Sequence, residues 1–460
     1  MWGTMAGNED PSRMTRQRSM TQENAMRQPF TRRSFLRRSL TAAGAAAAFP
    51  AIVPSRALGA GGAVAPSNRI VLGGIGVGSM GMGDLGDFLG RRECQVVAVC
   101  DVDRRHRENA KRAVDGRYQN DSCKAYLDFR ELIDRGDLDA VFTALPDQWH
   151  ALPAIYAARA GLDIHGQKPF ARTIREGRAM CDAVHRCGRV WQTGSQQRSD
   201  GRFRRAVELV RNGRLGTILK VEVGLPTGGA HGVEPERPVP EHLDWNWWLG
   251  PAPYRPFCNF GGNSPHWDWR WIMDFSGGQL TDWAGHHIDI AQWGLGFERT
   301  GPVAVEGKGE FPADGLYDAP MRYKFVCTYA NGLQMTVAND SGQGITHGAK
   351  WYGERGWILV NRGTLQAEPK EILDEVIGPN EIHVYRSDDH KGNFLECVRT
   401  RKETVAPAEI GHRSISVALL GEIAMLTGRK IRWNPDTEEI IGDPGASALL
   451  GKAYREPWTL

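Results

Sequence analysis

Apolar and polar positions along the chain fall into two regimes that meet near residue 194. Up to that point, short apolar runs alternate with stretches of helical period. RIVLGGI (69–75) and QVVAVC (95–100) lack polar alternation, as strands buried on both faces do. LDAVFTALP (138–146), LDIHG (162–166) and RVWQTG (189–194) read as further strands. Between them, GMGDLGDFL opens a predicted helix, DSCKAYLDFRELID (121–134) reads as a helical region, and HALPAIYAARAG (150–161) as a helix stopped by Gly161. IREGRAMCDAVHRCG (174–188) is the last predicted helix of this half. Strand and helix in strict turn predict an α/β fold with a doubly wound parallel sheet.

Beyond residue 195 the pattern changes. MRYKFVCTYANGLQMTVAND (321–340) alternates around Asn331-Gly332, a hairpin signal. WILVNRGTLQAEP (357–369) predicts more sheet, and HKGNFLECVRT (390–400) and ISVALLGEIAMLTG (415–428) predict helices. The Pro- and Gly-rich stretch 225–266 reads as an insertion able to form a lid, and WNPDTEEIIGD (433–443) as a surface tail.

Gly76-Val77-Gly78-Ser79-Met80-Gly81 follows the first predicted strand at once, and the second strand ends in Asp101. G-x-G-x-x-G alone is a weak signal; between a strand and a helix, with an acid 20 residues beyond its last Gly, it identifies a dinucleotide-binding Rossmann unit. Gly76 allows the tight turn, Gly78 lets backbone approach a pyrophosphate at the helix N-terminus, and Gly81 lets helix and strand pack closely. Asp101 suits ribose hydroxyls and repels a 2′-phosphate. NAD is therefore expected over NADP, although Arg104 and Arg105 pull the other way.

Composition changes the picture mainly at the N-terminus. Residues 1–65 hold nine Arg, no Lys and three acids; the rest carries 48 basic and 51 acidic residues. The body is thus mildly acidic, with no sign of a nucleic-acid partner. TRRSFLRR (31–38) fits a twin-arginine export signal, followed by an Ala-rich run from Leu40 to Val53 too short for a stable membrane span. The expected organisation is a polar leader (1–30), a signal region (31–65) cleaved between Ala57 and Ala65, a nucleotide-binding domain (66–194) and a substrate domain (195–460). Periplasmic or secreted location follows. The eight Cys form no C-x-x-C pair and read as small buried hydrophobes.

Three further segments carry a resemblance. QKPFA (167–171), ALPDQWH (144–150) and GGQLTDWAGHHIDIAQW (277–293) resemble motifs of the glucose–fructose oxidoreductase and inositol dehydrogenase family, over nearly all of residues 68–460. The resemblance implies a Rossmann domain followed by an α/β domain with an open, mainly antiparallel sheet, and a homo-oligomer. It implies catalytic Lys168, Asp282 and His286, with cofactor contacts from Gly76, Gly78, Ser79, Met80, Gly81, Asp101, Pro146, His150, Gln167 and Lys168. The family carries Glu where this chain has Gln167.

Residue chemistry agrees in part. Asp282 and His286 stand four apart on one helix face, where a carboxylate would orient an imidazole and raise its basicity. Lys168 could stabilise alkoxide character. Eight of the 15 Trp lie within 245–293, and indole faces stack on sugars. Trp269, Arg270 and His286 are the candidate substrate contacts, and the other reading of any one Trp is a core position. No metal is expected, since among Asp282, His286, His287 and Asp289 few share good ligand spacing. The expected activity is NAD-dependent oxidation of a CH–OH group in a sugar, polyol or glycoside, with cofactor tightly held. The alternatives are redox-neutral glycoside cleavage and non-catalytic sugar binding.

Overall fold

The computed structural model describes residues 68–460 apart from 263, 340 and 341, so the leader and the export signal lie outside the described residues. Six strands, β1 (Ile70–Ile75), β2 (Cys94–Cys100), β3 (Lys124–Tyr126), β4 (Ala140–Thr143), β5 (Asp163–Gly166) and β6 (Trp191–Thr193), form a sheet in the order β3-β2-β1-β4-β5-β6. Every pairing in it is parallel. Helices α1 (Ser79–Leu89), α2 (Arg104–Tyr118), α3 (Phe129–Ile133), α4 (Ala151–Arg159) and α5 (Ile174–Arg186) connect them. Ligands bind such a sheet beyond its strands' carboxyl ends where the strand order reverses, here between β1 and β4.

One expected helix is divided. Within 121–134, Lys124–Tyr126 pairs with Ala98–Cys100 as the edge strand β3. The helix begins only after Asp128, whose side chain accepts from Arg130 N and caps α3.

The second sheet has nine strands: β7 (Ile218–Leu225), β8 (Ala304–Glu310), β9 (Arg322–Thr328), β10 (Gln334–Asn339), β11 (Gly348–Gly353), β12 (Gly356–Val360), β13 (Leu365–Glu368), β14 (Ile431–Asn434) and β15 (Glu439–Ile440). Their order is β13-β12-β11-β7-β10-β9-β8-β14-β15. Only β7–β10 is parallel; the rest is antiparallel. The Asn331-Gly332 hairpin forms as expected, with Gly332 at φ +83°. The segment expected as a surface tail instead supplies most of β14 and β15, which extend the sheet beside β8.

Helices α6 (Gly201–Arg211), α9 (Gly278–Leu295) and α11 (Ala408–Thr427) cover one face of this sheet, with α10 (His390–Thr400) set against the first domain. Fourteen of the 18 residues of α9 are buried. Gly294 lies under the Trp351 ring of β11, whose indole N–H donates to Ala291 O at 3.2 Å. This packing fixes the other end of α9, which carries Asp282 and His286, against the first domain.

The insertion, reaching here from 226 to 272, contains two short helices, α7 (Trp245–Leu249) and α8 (Pro265–Asp268). It folds around its own apolar core of Leu243, Trp245, Trp248, Phe260, Trp269 and neighbours. Arg104 N donates to His242 O at 2.8 Å, and Asp103 and Leu243 form an antiparallel bridge. The insertion is therefore hydrogen-bonded to the end of β2 and the start of α2, which places it over the cleft. The eight Cys are free, and all but half-buried Cys187 are buried.

Candidate active site

The glycine turn meets its steric demands. Gly76 has φ +77°, and a Cβ there would lie 2.5 Å from Ala144 O. A Cβ at Gly81 would stand 1.9 Å from Gly76 O, so only glycine lets α1 approach β1 this closely. A Cβ at Gly78 would sit 3.3 Å from the His106 ring. Helix α1 has no side-chain cap and no acid in its first turn. Its leading N–H groups are thus left for an anion, the chemistry a pyrophosphate requires.

Asp101 ends β2 and is bound into the turn. Its Oδ2 accepts from Val77 N and its Oδ1 from Asp103 N, each at 2.9 Å. His106 Nδ1 stands 3.7 Å from Oδ2, and the neighbouring Asp101 carboxylate raises the imidazole pKa against the effect of burial. Gly76, Gly78, Ser79, Met80, Asp101 and Pro146 all line one cleft. Its far wall is Gln167, Lys168, Trp269, Arg270 and Asp282.

Gln167 donates from Nε2 to Asp84 Oδ2 at 2.8 Å, while its Oε1 is buried without a partner. Asp84, buried on α1, is also 2.8 Å from Lys391 Nζ. An amide suits this position, since a Glu would set two carboxylates together. Gln167 lines the cleft, and its buried, unpartnered Oε1 is an orphaned acceptor of the kind an amide donor such as a nicotinamide carboxamide would satisfy.

Lys168 Nζ donates to Asp282 Oδ1 at 2.8 Å and to Asp282 O at 3.0 Å. Arg270 Nε is 3.8 Å from the same Oδ1, and its guanidinium lies over both Trp267 and Trp269. The expected Asp282–His286 couple is therefore corrected: the carboxylate serves two cations, and buried His286 has no hydrogen-bond partner at Nδ1. Burial, then the Lys168 charge, push the His286 pKa well down, opposite to the expected gain in basicity. His286 is not part of the cleft lining; its ring packs edge-on against Trp283, with the centroids 5.6 Å apart.

His150 is also corrected. Its ring nitrogens face Pro169 O at 2.6 Å and Leu145 O at 2.8 Å, which ties the loop after β4 to the Lys168 loop. It positions the wall without lining it. His287 points away from the cleft toward His347, with 3.1 Å between their Nε2 atoms. Burial pulls the His287 pKa down to about 3. Asp289 is committed to Arg198, at 2.7 and 2.8 Å, and to Ser414.

Residues 70–195 match the NAD-binding Rossmann fold of an oxidoreductase family, and 201–460 match its C-terminal alpha/beta domain. The chain belongs to the Gfo/Idh/MocA oxidoreductase family. Family relatives include the uncharacterized oxidoreductase YrbE of Bacillus subtilis, 23% identical over 66% of this chain and 81% of that protein. Another is a glycosyl hydrolase family 109 protein of Shewanella sp. (strain ANA-3), 34% identical over 32% of this chain and only 35% of the relative. Among solved structures, the WlbA dehydrogenase of Bordetella pertussis, in complex with NADH and UDP-GlcNAcA, aligns with TM-score 0.58 and 17% identity, over 80% of this chain and 99% of that one. The aldose-aldose oxidoreductase of Caulobacter crescentus, complexed with glycerol, aligns with TM-score 0.58 and 18% identity, over 79% and 99%.

Sequence reasoning missed Asp84, Asp147 and the imidazoles of His106 and His266 that line the cleft. Asp147 is buried; burial pushes its pKa up to about 6, and Ser276 Oγ donates to it at 2.6 Å. Its place inside ALPDQWH was the available signal. No helix among the described residues is long and apolar enough to cross a membrane.

Proposed function

We propose that this family member oxidises a CH–OH group of a sugar, polyol or glycoside, with NAD held through turnover. The observation that carries the reading is the Lys168–Asp282 pair on the wall opposite the glycine turn, in one continuous cleft. The glycine turn and α1 would hold the pyrophosphate, Asp101 the adenosine ribose, and Gln167 Oε1 the carboxamide. Bound NAD supplies the hydride acceptor.

The chain's own groups do the rest. Lys168, fixed by two bonds to Asp282, has a third ammonium donor for the substrate oxygen and stabilises negative charge developing there. His286 is kept neutral by burial and by the neighbouring ammonium, so its imidazole keeps a lone pair that can itself take the proton of the substrate hydroxyl. Arg270 and Trp269 line the substrate end, where a guanidinium over an indole can bond sugar hydroxyls. Of the solved structures that share the fold, one is in complex with NADH and UDP-GlcNAcA and one with glycerol.

The insertion over the adenosine end supports slow cofactor release. Together with the twin-arginine motif at Arg32 and Arg33, it favours a protein exported with cofactor loaded. A second reading, transient oxidation followed by glycoside elimination, is favoured by the glycosyl hydrolase relatives. Single-turnover mixing of the holoenzyme with a panel of free sugars and aryl glycosides separates the two. Stable nicotinamide reduction supports net oxidation, and aglycone release without an added acceptor supports elimination. Neither signal on any sugar would overturn both.

A further inference from the structure

Asp103 follows β2 and is fully buried, yet its carboxylate meets two side chains from a distant part of the chain. His266 Nε2 lies 3.1 Å from Oδ2 and His242 Nε2 lies 3.5 Å from it, both from the insertion. One ligand atom each from Asp103, His106 and His266 fall within 4.8 Å of one another. The His106 and His266 ring centroids are 4.3 Å apart at 53°.

From these positions we propose that Asp103, His106, His242 and His266 form a binding site for a transition-metal dication of the zinc class, which fastens the insertion to the nucleotide-binding domain. Imidazole and carboxylate ligands suit zinc, with bonds of about 2.0–2.2 Å in a tetrahedron. The edge of such a tetrahedron is about 3.3 Å. The observed 3.1 and 3.5 Å separations bracket it and the His106 ligand atom lies within 4.8 Å, so adjustments of the side chains would seat an ion where Asp103 and His266 now share a hydrogen bond.

The surroundings orient the donors. Asp103 Oδ1 accepts from Arg105 N at 2.8 Å as the cap of α2, which aims Oδ2 toward the imidazoles. Asp101 Oδ2 stands 3.7 Å from His106 Nδ1, close enough that a small rotation would let this carboxylate orient the imidazole of a metal-bound His106. Arg105 Nη2 is 3.6 Å from Asp103 Oδ2 and competes for it. Its side chain is 65% exposed and free to swing out. Two ligands belong to the first domain and two to the insertion, and His106 and His266 line the cleft near Asp101. A bound ion would hold the insertion closed over that end; slower cofactor loss is the corollary, and it rests on the NAD reading above.

The test is calorimetric titration of chelator-stripped, full-length protein with Zn²⁺, and with Co²⁺ as an optical probe. One equivalent should bind, visible tetrahedral Co²⁺ bands should appear, and the thermal midpoint should rise and fall back with EDTA. His266→Gln and His106→Gln should each weaken binding at least ten-fold while the stripped proteins unfold as wild type does. Absence of binding, or equal affinity in the His106→Gln/His266→Gln double variant, overturns the site. Zn²⁺ binding without retained NAD would leave the site standing and count against the cofactor reading. Retained NAD with no Zn²⁺ binding would do the reverse.

Discussion

Replacing Gly81 by Ala probes the contact on which the cofactor site is built. The added Cβ would stand 1.9 Å from Gly76 O and 2.9 Å from its carbonyl carbon. Both are backbone atoms, so no side chain can swing aside. Van der Waals contact requires α1 or the turn to retreat by more than about 1 Å. Overpacking of this kind costs about 1–3 kcal/mol of stability. The cofactor should suffer more. The pyrophosphate depends on N–H groups at the start of α1, and charge-assisted hydrogen bonds contribute about 1.5–3 kcal/mol each. Misaligning two of them weakens retention by about 10²–10⁴-fold. Gly83→Ala on the same helix is the control: nothing lies within 4 Å of its Cβ, and Ala in a helix gains about 0.5–1 kcal/mol over Gly. The assay is nicotinamide released on denaturing the purified proteins, read beside the denaturant midpoint. Gly83→Ala should keep its cofactor with an equal or higher midpoint, and Gly81→Ala should lose most of it. If Gly81→Ala retained wild-type cofactor and midpoint, the close approach of α1 to the turn would not be what holds the nucleotide.

Four further outcomes are expected. His286→Ala should slow single-turnover nicotinamide reduction by about 10²–10⁴-fold with NAD still co-purifying, and Asp282→Asn should slow it less; a wild-type rate in His286→Ala would remove it from the proton path. Asp101→Ala should narrow the preference for NAD over NADP in equilibrium binding, and tighter NADP than NAD binding by the wild type would contradict the assignment. Glu409 and Glu438 should set acid stability: burial raises their pKa, but Arg178 with Arg413 around one and His412 with Arg178 around the other bring both down to about 2. Carboxyls depressed in this way stabilise fully above about pH 4.5 and lose that contribution as pH falls toward 2; it is worth about 3 kcal/mol for each, so Arg178→Met should unfold at higher pH in an acid titration. Arg32→Lys with Arg33→Lys should leave full-length protein in the cytoplasm on fractionation, and normal export would remove the twin-arginine reading.

How much the sequence revealed tracks burial. The strands buried on both faces, β1, β2 and β4, were legible because parallel strands under helices are continuous apolar runs. Lys124–Tyr126 was not, because a three-residue edge strand facing solvent has no such run. The start of α11 was hidden for the opposite reason. Glu409, His412 and Arg413 look like loop polarity, but the first two are absorbed by Arg178 and Glu438 and the third by Glu409 and Glu438. At the site, motif position located Lys168 and Asp282, while helical spacing misjudged their partners. Two residues four apart share a face, yet an ammonium from another strand end makes the stronger charge-assisted bond and takes the carboxylate. The Asp103–His266 contact joins residues 163 apart, which no local pattern encodes.

The departure at Gln167 weighs on whether the site is catalytic or degenerate. A carboxylate simply lost beside Lys168 would leave the cleft short of one negative charge, with no structural response to it. The structure instead supplies that charge one helix away. Asp84 on α1 receives the Gln167 amide and the Lys391 ammonium, each at 2.8 Å. Lys391 lies in the first turn of α10, an element of the second domain, so the compensation spans both domains. Burying Asp84 costs several kcal/mol unless it is paired and hydrogen-bonded, as it is here. Lys168 meanwhile keeps its own carboxylate in Asp282, and Gln167 Oε1 remains unpartnered. A site relieved of function has no need of a buried, doubly satisfied carboxylate beneath its cofactor wall. This compensation supports the proposed turnover over passive sugar binding.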